Sequence, residues 1–290
     1  MPQPLSTTRQ FLMWWFNPPG VPWVSATLAI DFTAARAYLA ALAEQEGPRV
    51  SVQHLLSGAV GRTLAAFPDA NARIIGNRIV HQDSVGVVAP VNLLGHAAGS
   101  KRELSFAVTS DVHRRSLRDI AADTRKAVKD ERAGRISNPF ARMVIRLMEK
   151  ASPSATWRGL ELLDRAMKRR PFADQVYKLA PFTTGLTNPG AAIGDREGLL
   201  FRGGAVSLPT KLVHVGTLWG ITPVQDEVIP INGVPAVRPM LPVMLVFDHR
   251  LIDGVRASKL SLHFFDILQD PAATFGERGE LEGPPVKARR

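Results

Sequence analysis

No cysteine occurs in this chain of 290 residues. Disulfides, a thiolate nucleophile and a thiolate metal site are thereby excluded, and the composition fits a cytoplasmic protein. No apolar run approaches the roughly 18 to 20 residues of a membrane span. The aromatic patch at residues 11–16 is too short for one, and Asn17-Pro18-Pro19-Gly20 closes it, so it is also a poor signal-peptide core. The chain therefore reads as neither secreted nor integral. Internal repeats and low-complexity segments are missing, as are a Walker loop, a dinucleotide fingerprint, a zinc pattern and a Gly-x-Ser-x-Gly elbow. No metal is expected.

Acidic residues are the scarcer charge: 26 Asp plus Glu face 36 Lys plus Arg, a net charge of +10. That balance favours anionic partners such as phosphorylated cofactors, nucleic acid or acidic lipid surfaces, and charge alone does not choose among them. Nucleic acid is the weakest of the three, because interleaved aromatics and recognition motifs are wanting. What is present in quantity is apolar: 45% of residues are hydrophobic, enough for a sizeable core in one large or two modest domains.

The chain is organised around residues 241–257, LPVMLVFDHRLIDGVRA. Leu241 to Phe247 is a continuous apolar run that predicts a buried strand, and it leads directly into Asp248-His249-Arg250. Val255, Leu260, Phe264, Phe265 and Leu268 then predict a packed helix. An imidazole at the strand-to-helix turn can serve as a general base near neutral pH. Asp253 can anchor the turn by an ion pair or backbone hydrogen bonds, and Gly254 permits a backbone conformation or close approach that other residues resist. The plainer reading is a surface histidine in a turn. His214, on an expected alternating strand, reads as a structural side chain.

Upstream, Ser6-Thr7-Thr8 caps an expected helix at 9–16, followed by a strand at 24–32 and helices at 33–45 and 52–67. Strands are expected near 74–80, 84–91 and 104–112, and a charged helix at 116–132. Residues 134–181 predict two basic amphipathic helices, 140–148 and 157–170, whose arginines alternate with Met, Leu, Ile and Trp. Two accounts stay open for them: packing on the sheet or a neighbouring subunit, or a face for lipid or acyl chains. Strands at 198–201, 211–218 and 228–231 follow, with Asn232-Gly233 as a hairpin turn. Residues 276–290 read as a disordered tail.

Phe247-Asp248-His249-Arg250-Leu251-Ile252-Asp253-Gly254 after an apolar strand resembles the C-terminal signature of the dihydrolipoamide acyltransferases, the catalytic cores of 2-oxo acid dehydrogenase complexes. Pro22-Trp23, Ile30-Asp31, Phe67-Pro68-Asp69-Ala70-Asn71 and Val85-Gly86-Val87-Val88-Ala89-Pro90-Val91 resemble further landmarks of that family in the same order. Thr187-Asn188-Pro189-Gly190 is similar to its Ser-Asn-x-Gly turn, with a threonine in place of the serine. Residues 134–181 have no counterpart in the family pattern.

The resemblance implies an α/β fold of the chloramphenicol acetyltransferase-like kind, a mixed β-sheet flanked by helices with a helical insertion at 134–181, in a catalytic domain spanning 1–275. It implies acyl transfer between coenzyme A and an acceptor, with coenzyme A or acyl-CoA as substrate, in a homotrimer or larger trimer-based assembly with each active site between subunits. His249 would be the general base and Thr187 the oxyanion donor, with the alternative that Thr187 only satisfies its own turn. Asp253 would support the site by pairing with Arg9, beside Gly254 and Asn188. No stretch resembles a lipoyl domain, so no lipoyl group is expected on this chain, and the acceptor need not be dihydrolipoamide. The opposing reading is a catalytically inactive trimeric scaffold that binds acyl-CoA. A cytoplasmic location follows, with peripheral membrane contact open through residues 134–181.

Overall fold

The apolar run at 241–247 does become the central strand, and the sheet is laid on both sides of it. The computed structural model describes residues 23–93, 104–136, 138–150, 152–190, 198–204, 207–209 and 211–286. Strand β9 (Val234–Asp248) is flanked along its second half by β1 (Trp23–Asp31) and β7 (Thr217–Ile221), both antiparallel to it. Its first half forms a ribbon with β8 (Gln225–Ile231), closed by Asn232 and Gly233 at φ 50° and 80°, the left-handed pair that a two-residue hairpin turn requires. Outward from β7 lie β6 (Thr184–Thr187) and β4 (Val87–Asn92), each parallel to its neighbour, and then antiparallel β5 (Leu104–Thr109). The order is β1-β9-β7-β6-β4-β5, and β2 (Ala72–Ile75) with β3 (Arg78–His81) makes a separate hairpin.

The helices are α1 (Thr33–Ala43), α2 (Val52–Ala66), α3 (Leu117–Arg132), α4 (Pro139–Lys150), α5 (Pro153–Met167), α6 (Arg170–Leu179), α7 (Gly254–Gln269) and α8 (Pro271–Phe275). Side chains alternate across a strand, and β9 exploits this: Leu241, Val243, Leu245 and Phe247 enter the main core with residues of α1, α2 and α7, while Met244 and Val246 enter a second cluster with Leu208 and Val215. Apolar residues on both faces are what a strand covered on both sides needs. Trp219 of β7, fully buried, lies 4.7 Å ring to ring from Phe264 of α7 and fixes that helix on the sheet.

Residues 134–181 hold three helices, not two. Arg170–Leu179 is the third, and Pro171 sits in its first turn, where a missing N–H costs nothing. Phe140, Met167, Ala173, Val176 and Tyr177 form a small core of their own with Ile75 of the β2–β3 hairpin. Trp157 and Leu162 remain exposed on α5. The chain leaves these helices against Gly86, where a Cβ would stand 1.8 Å from the Pro181 carbonyl oxygen, so only glycine fits.

Three expectations need correction. Residues 198–201 are not a strand: Gln225 satisfies their backbone by accepting from the Phe201 N–H and donating to the Leu199 carbonyl. Residues 211–216 are not one either, because Leu212 has φ 65° and gives its N–H to Asp164, and β7 begins only at Thr217. Of the expected tail at 276–290, residues 276–286 are anchored to the body of the fold, and 287–290 lie outside the described residues. Buried Arg62 donates to the carbonyls of Leu281 and His113, Tyr38 donates to the Gly276 carbonyl, and the Leu117 N–H donates to Gly279.

Candidate active site

The turn after β9 is held from several directions. Asp248 accepts the N–H groups of Leu251 and Ile252 on its carbonyl oxygen at 2.9 and 3.3 Å. Five residues after Asp248, the Asp253 side chain accepts the Arg256 N–H at 2.8 Å and caps α7, which fixes where the helix starts. Arg256 in turn makes a two-pronged pair with Asp69, at 2.6 and 2.9 Å, with its guanidinium 4.4 Å from the centroid of the Phe67 ring. Asn71, fully buried, donates to the carbonyls of Gln82 and Ser84 at 3.0 Å each. The Phe67-to-Asn71 landmark thus fastens the first turn of α7 to the β2–β3 hairpin.

His249 is half-buried, with Nδ1 3.1 Å from the carbonyl oxygen of Ile252. A carbonyl can only accept, so Nδ1 carries a proton, and the neutral form of the ring has its lone pair on Nε2, which is the tautomer a base needs. The ring also meets Phe247 edge-on, centroids 6.1 Å apart. His249 is therefore oriented by its own turn.

Beside it lies a polar network that the sequence did not disclose. Asp248, 1% exposed, accepts from Arg250 through the backbone N–H at 2.9 Å and through Nε and Nη2 at 2.9 and 2.6 Å. It also accepts from His214 Nε2 at 2.8 Å. Nδ1 of His214 accepts the Ile74 N–H at 3.0 Å, and a backbone N–H can only donate, so His214 holds its proton on Nε2. Burial pushes the Asp248 carboxyl up, but the donors from His214 and Arg250 outweigh it and hold the pKa at about 2. The His214 N–H donates to the Tyr177 hydroxyl at 3.1 Å, which ties the network to α6. The expected structural role of His214 agrees with this geometry, although it stands in a loop and not on a strand.

Thr187 and Asn188 stand at the end of β6, both half-buried. Register puts Thr187 level with Gly220 of β7 and hence with Met244 of β9, five residues short of His249. At about 3.4 Å per residue and about 4.8 Å per strand, that is about 17 Å along the sheet and about 10 Å across it. One chain does not bring the two groups together. Arg9, the expected partner of Asp253, lies outside the described residues, and Asp253 itself is exposed. Among the described residues Gly254 has neither of the expected reasons: its φ is not left-handed, and a Cβ there would meet nothing within 4 Å. It lines an apolar groove of about 750 Å³ between β1 and α7, with Val24, Leu28, Phe247 and Phe265.

Among the described residues, no group of three or more His, Asp or Glu could hold a metal ion. No described helix is long and apolar enough to cross a membrane.

The family model for 2-oxoacid dehydrogenases acyltransferase (catalytic domain) matches residues 18–139 and 216–275, more than half of the chain. The chain belongs to this acyltransferase family. His249, Asp253, Gly254 and the Phe67-to-Asn71 landmark fall inside the matched stretches, whereas Thr187, Asn188, His214 and most of the inserted helices fall between them. A curated relative, the dihydrolipoyllysine-residue succinyltransferase component of the 2-oxoglutarate dehydrogenase complex of Pseudomonas aeruginosa, is 33% identical over 70 residues, 24% of this chain and 17% of that protein. The chain spans less than half the length of the curated relatives it matches. Among solved structures, the cubic core of the pyruvate dehydrogenase multienzyme complex aligns with a TM-score of 0.60 at 19% identity, over 92% of this chain and 87% of that one. Chloramphenicol acetyltransferase aligns with a TM-score of 0.51 at 17% identity, over 93% and 99%. At these identities the likeness is one of fold, and the acyltransferase chain has the expected α/β architecture, a mixed sheet flanked by helices.

Proposed function

We propose that this chain is a CoA-dependent acyltransferase whose active site forms between two copies, with His249 of one copy as general base and Thr187 of the next as oxyanion donor. The observation that carries the reading is the oriented imidazole: the Ile252 carbonyl holds Nδ1–H, so Nε2 is the proton acceptor. The attacking thiol, or another acceptor group, passes its proton to Nε2 as it forms a bond to the thioester carbonyl carbon. The carbonyl oxygen becomes an oxyanion that accepts a hydrogen bond from the Thr187 hydroxyl. Collapse breaks the bond to the CoA sulfur, and the proton on His249 goes to the departing thiolate. Acylated acceptor and free CoA result.

The distance between the two groups in one chain supports the shared site, because Thr187 can serve the His249 of another copy in a closed symmetric assembly. A trimer is the proposed assembly. The acyltransferase unit would span 1–275, with 134–181 inserted. Coenzyme A enters as substrate, and dihydrolipoamide is the first acceptor to try, since the relatives are dihydrolipoyllysine acyltransferases.

Incubation with a panel of acyl-CoA donors, with dihydrolipoamide and other thiol, hydroxyl and amine acceptors, tests the reading by chromatography of free CoA and acylated acceptor. At least one donor and acceptor pair should turn over. Acyl-CoA binding without transfer to any acceptor would favour the inactive scaffold.

A further inference from the structure

We propose that His214 is a positioning residue for the transfer reaction, holding Asp248 and through it the turn that aims His249. The inference rests on the general-base reading of His249 and adds to it a residue from outside the stretches that the family model matches.

The hydrogen bonds form one connected path. Tyr177 of α6 accepts the His214 N–H through its hydroxyl, and Ile74 of β2 donates to Nδ1 from the other side, so backbone and ring of His214 are both anchored. With Nδ1 so occupied, Nε2–H points at Asp248 Oδ2, 2.8 Å away. Asp248 then fixes the turn twice, by its carboxylate on Arg250 and by its carbonyl oxygen on the N–H groups of Leu251 and Ile252. Ile252 supplies the carbonyl that holds Nδ1–H of His249. A displacement of Asp248 is therefore passed to the acceptor that selects the tautomer of the base.

The local fold is built to permit this contact. Asp248 donates its N–H to the Gly216 carbonyl at 3.0 Å, and a side chain at Gly216 would press within 2.6 Å of the Ala70 carbonyl oxygen and 2.8 Å of Leu251 Cδ1. Glycine at 216 thus lets the segment carrying His214 lie between the β2 entry and the turn after β9. The contact also gives the inserted helices a consequence at the site: Tyr177 belongs to α6 and holds the backbone of His214, whose ring reaches Asp248.

The test uses the full-length assembly and three proteins: wild type, His214→Phe, which keeps a ring and loses the bonds, and His214→Gln, whose amide can donate to Asp248 and accept from Ile74. Misplacement of a reacting group by about 1 Å can cost about 100-fold. His214→Phe should lose about ten- to a hundredfold in kcat with KM for acyl-CoA nearly unchanged, and His214→Gln should recover most of the loss. The second readout needs no turnover: side-chain nitrogen–proton correlation spectra of the histidines, with His249 assigned by its substitution. Wild type should show His249 with the proton on Nδ1, and His214→Phe should mix the two tautomers. An unchanged His249 spectrum in folded His214→Phe overturns the inference, whether or not the protein transfers acyl groups. Equal losses of kcat in the Phe and Gln variants, with that spectrum unchanged in both, would likewise reduce His214 to a structural part.

Discussion

His249→Ala is expected to keep its fold and to lose about 10²- to 10⁴-fold in transfer rate, the range that general-base assistance supplies. The fold should survive because the turn does not depend on the imidazole for its shape. Asp248 holds the N–H groups of Leu251 and Ile252, Asp253 caps α7, and the Arg256–Asp69 pair ties that helix to the chain beside the β2–β3 hairpin. The rate should fall because the neighbouring imidazole of the Asp248 network is already committed: His214 has Nδ1 on the Ile74 N–H and Nε2–H on Asp248. Initial rates together with a melting curve check both halves. A well-folded variant of undiminished rate would remove His249 from the reaction.

Asp248→Ala is expected to act on stability first. It removes the carboxylate that pairs with the largely buried Arg250 side chain and accepts from His214, and breaking a buried pair from one side costs about 3 to 5 kcal/mol. Arg250 keeps 14% of its side-chain surface in water, so the low end, about 3 kcal/mol, is the expected loss at pH 7. The same residue gives a pH signature. Its folded pKa, about 2, lies below the ordinary 3.8. The unfolded chain therefore takes up the proton first as pH falls. Stability from this group is complete above about pH 5 and drains away between about pH 4 and pH 2, in all on the order of 2 kcal/mol. Urea unfolding at pH 7 and pH 3 should show a smaller difference in Asp248→Asn than in wild type. An equal difference would place the acid sensitivity elsewhere.

What could be read in the sequence was local. A continuous apolar run, an Asp-His-Arg triplet and an Asp-Gly pair lie within 14 residues, so strand, turn and helix were all visible there, as was the hairpin at Asn232-Gly233. The His214–Asp248 contact was not, because it joins residues 34 apart in sequence through a loop that alternates like a strand but contains a left-handed leucine. Helix α6 is hidden in the sequence for a simpler reason. Pro171 reads as a stop inside a helical pattern, yet in the first turn it is a start. The course of 276–286 is set by Arg62 on the Leu281 carbonyl and Tyr38 on the Gly276 carbonyl, each over 200 residues upstream, which the Gly- and Pro-rich composition of that segment conceals. The separation of Thr187 from His249 emerges only when strand register is known.

That separation makes the central claim testable by one measurement. Thr187→Ala should cost about 2.7 to 4 kcal/mol in the barrier, so both it and His249→Ala are nearly inactive alone. Co-expressed in one cell and purified as mixed assemblies, the two chains place an intact His249 against an intact Thr187 at some of their interfaces. With random mixing about a quarter of the sites are restored, and about a quarter of the wild-type rate should return. A mixture no more active than either variant by itself would contradict a site shared between subunits.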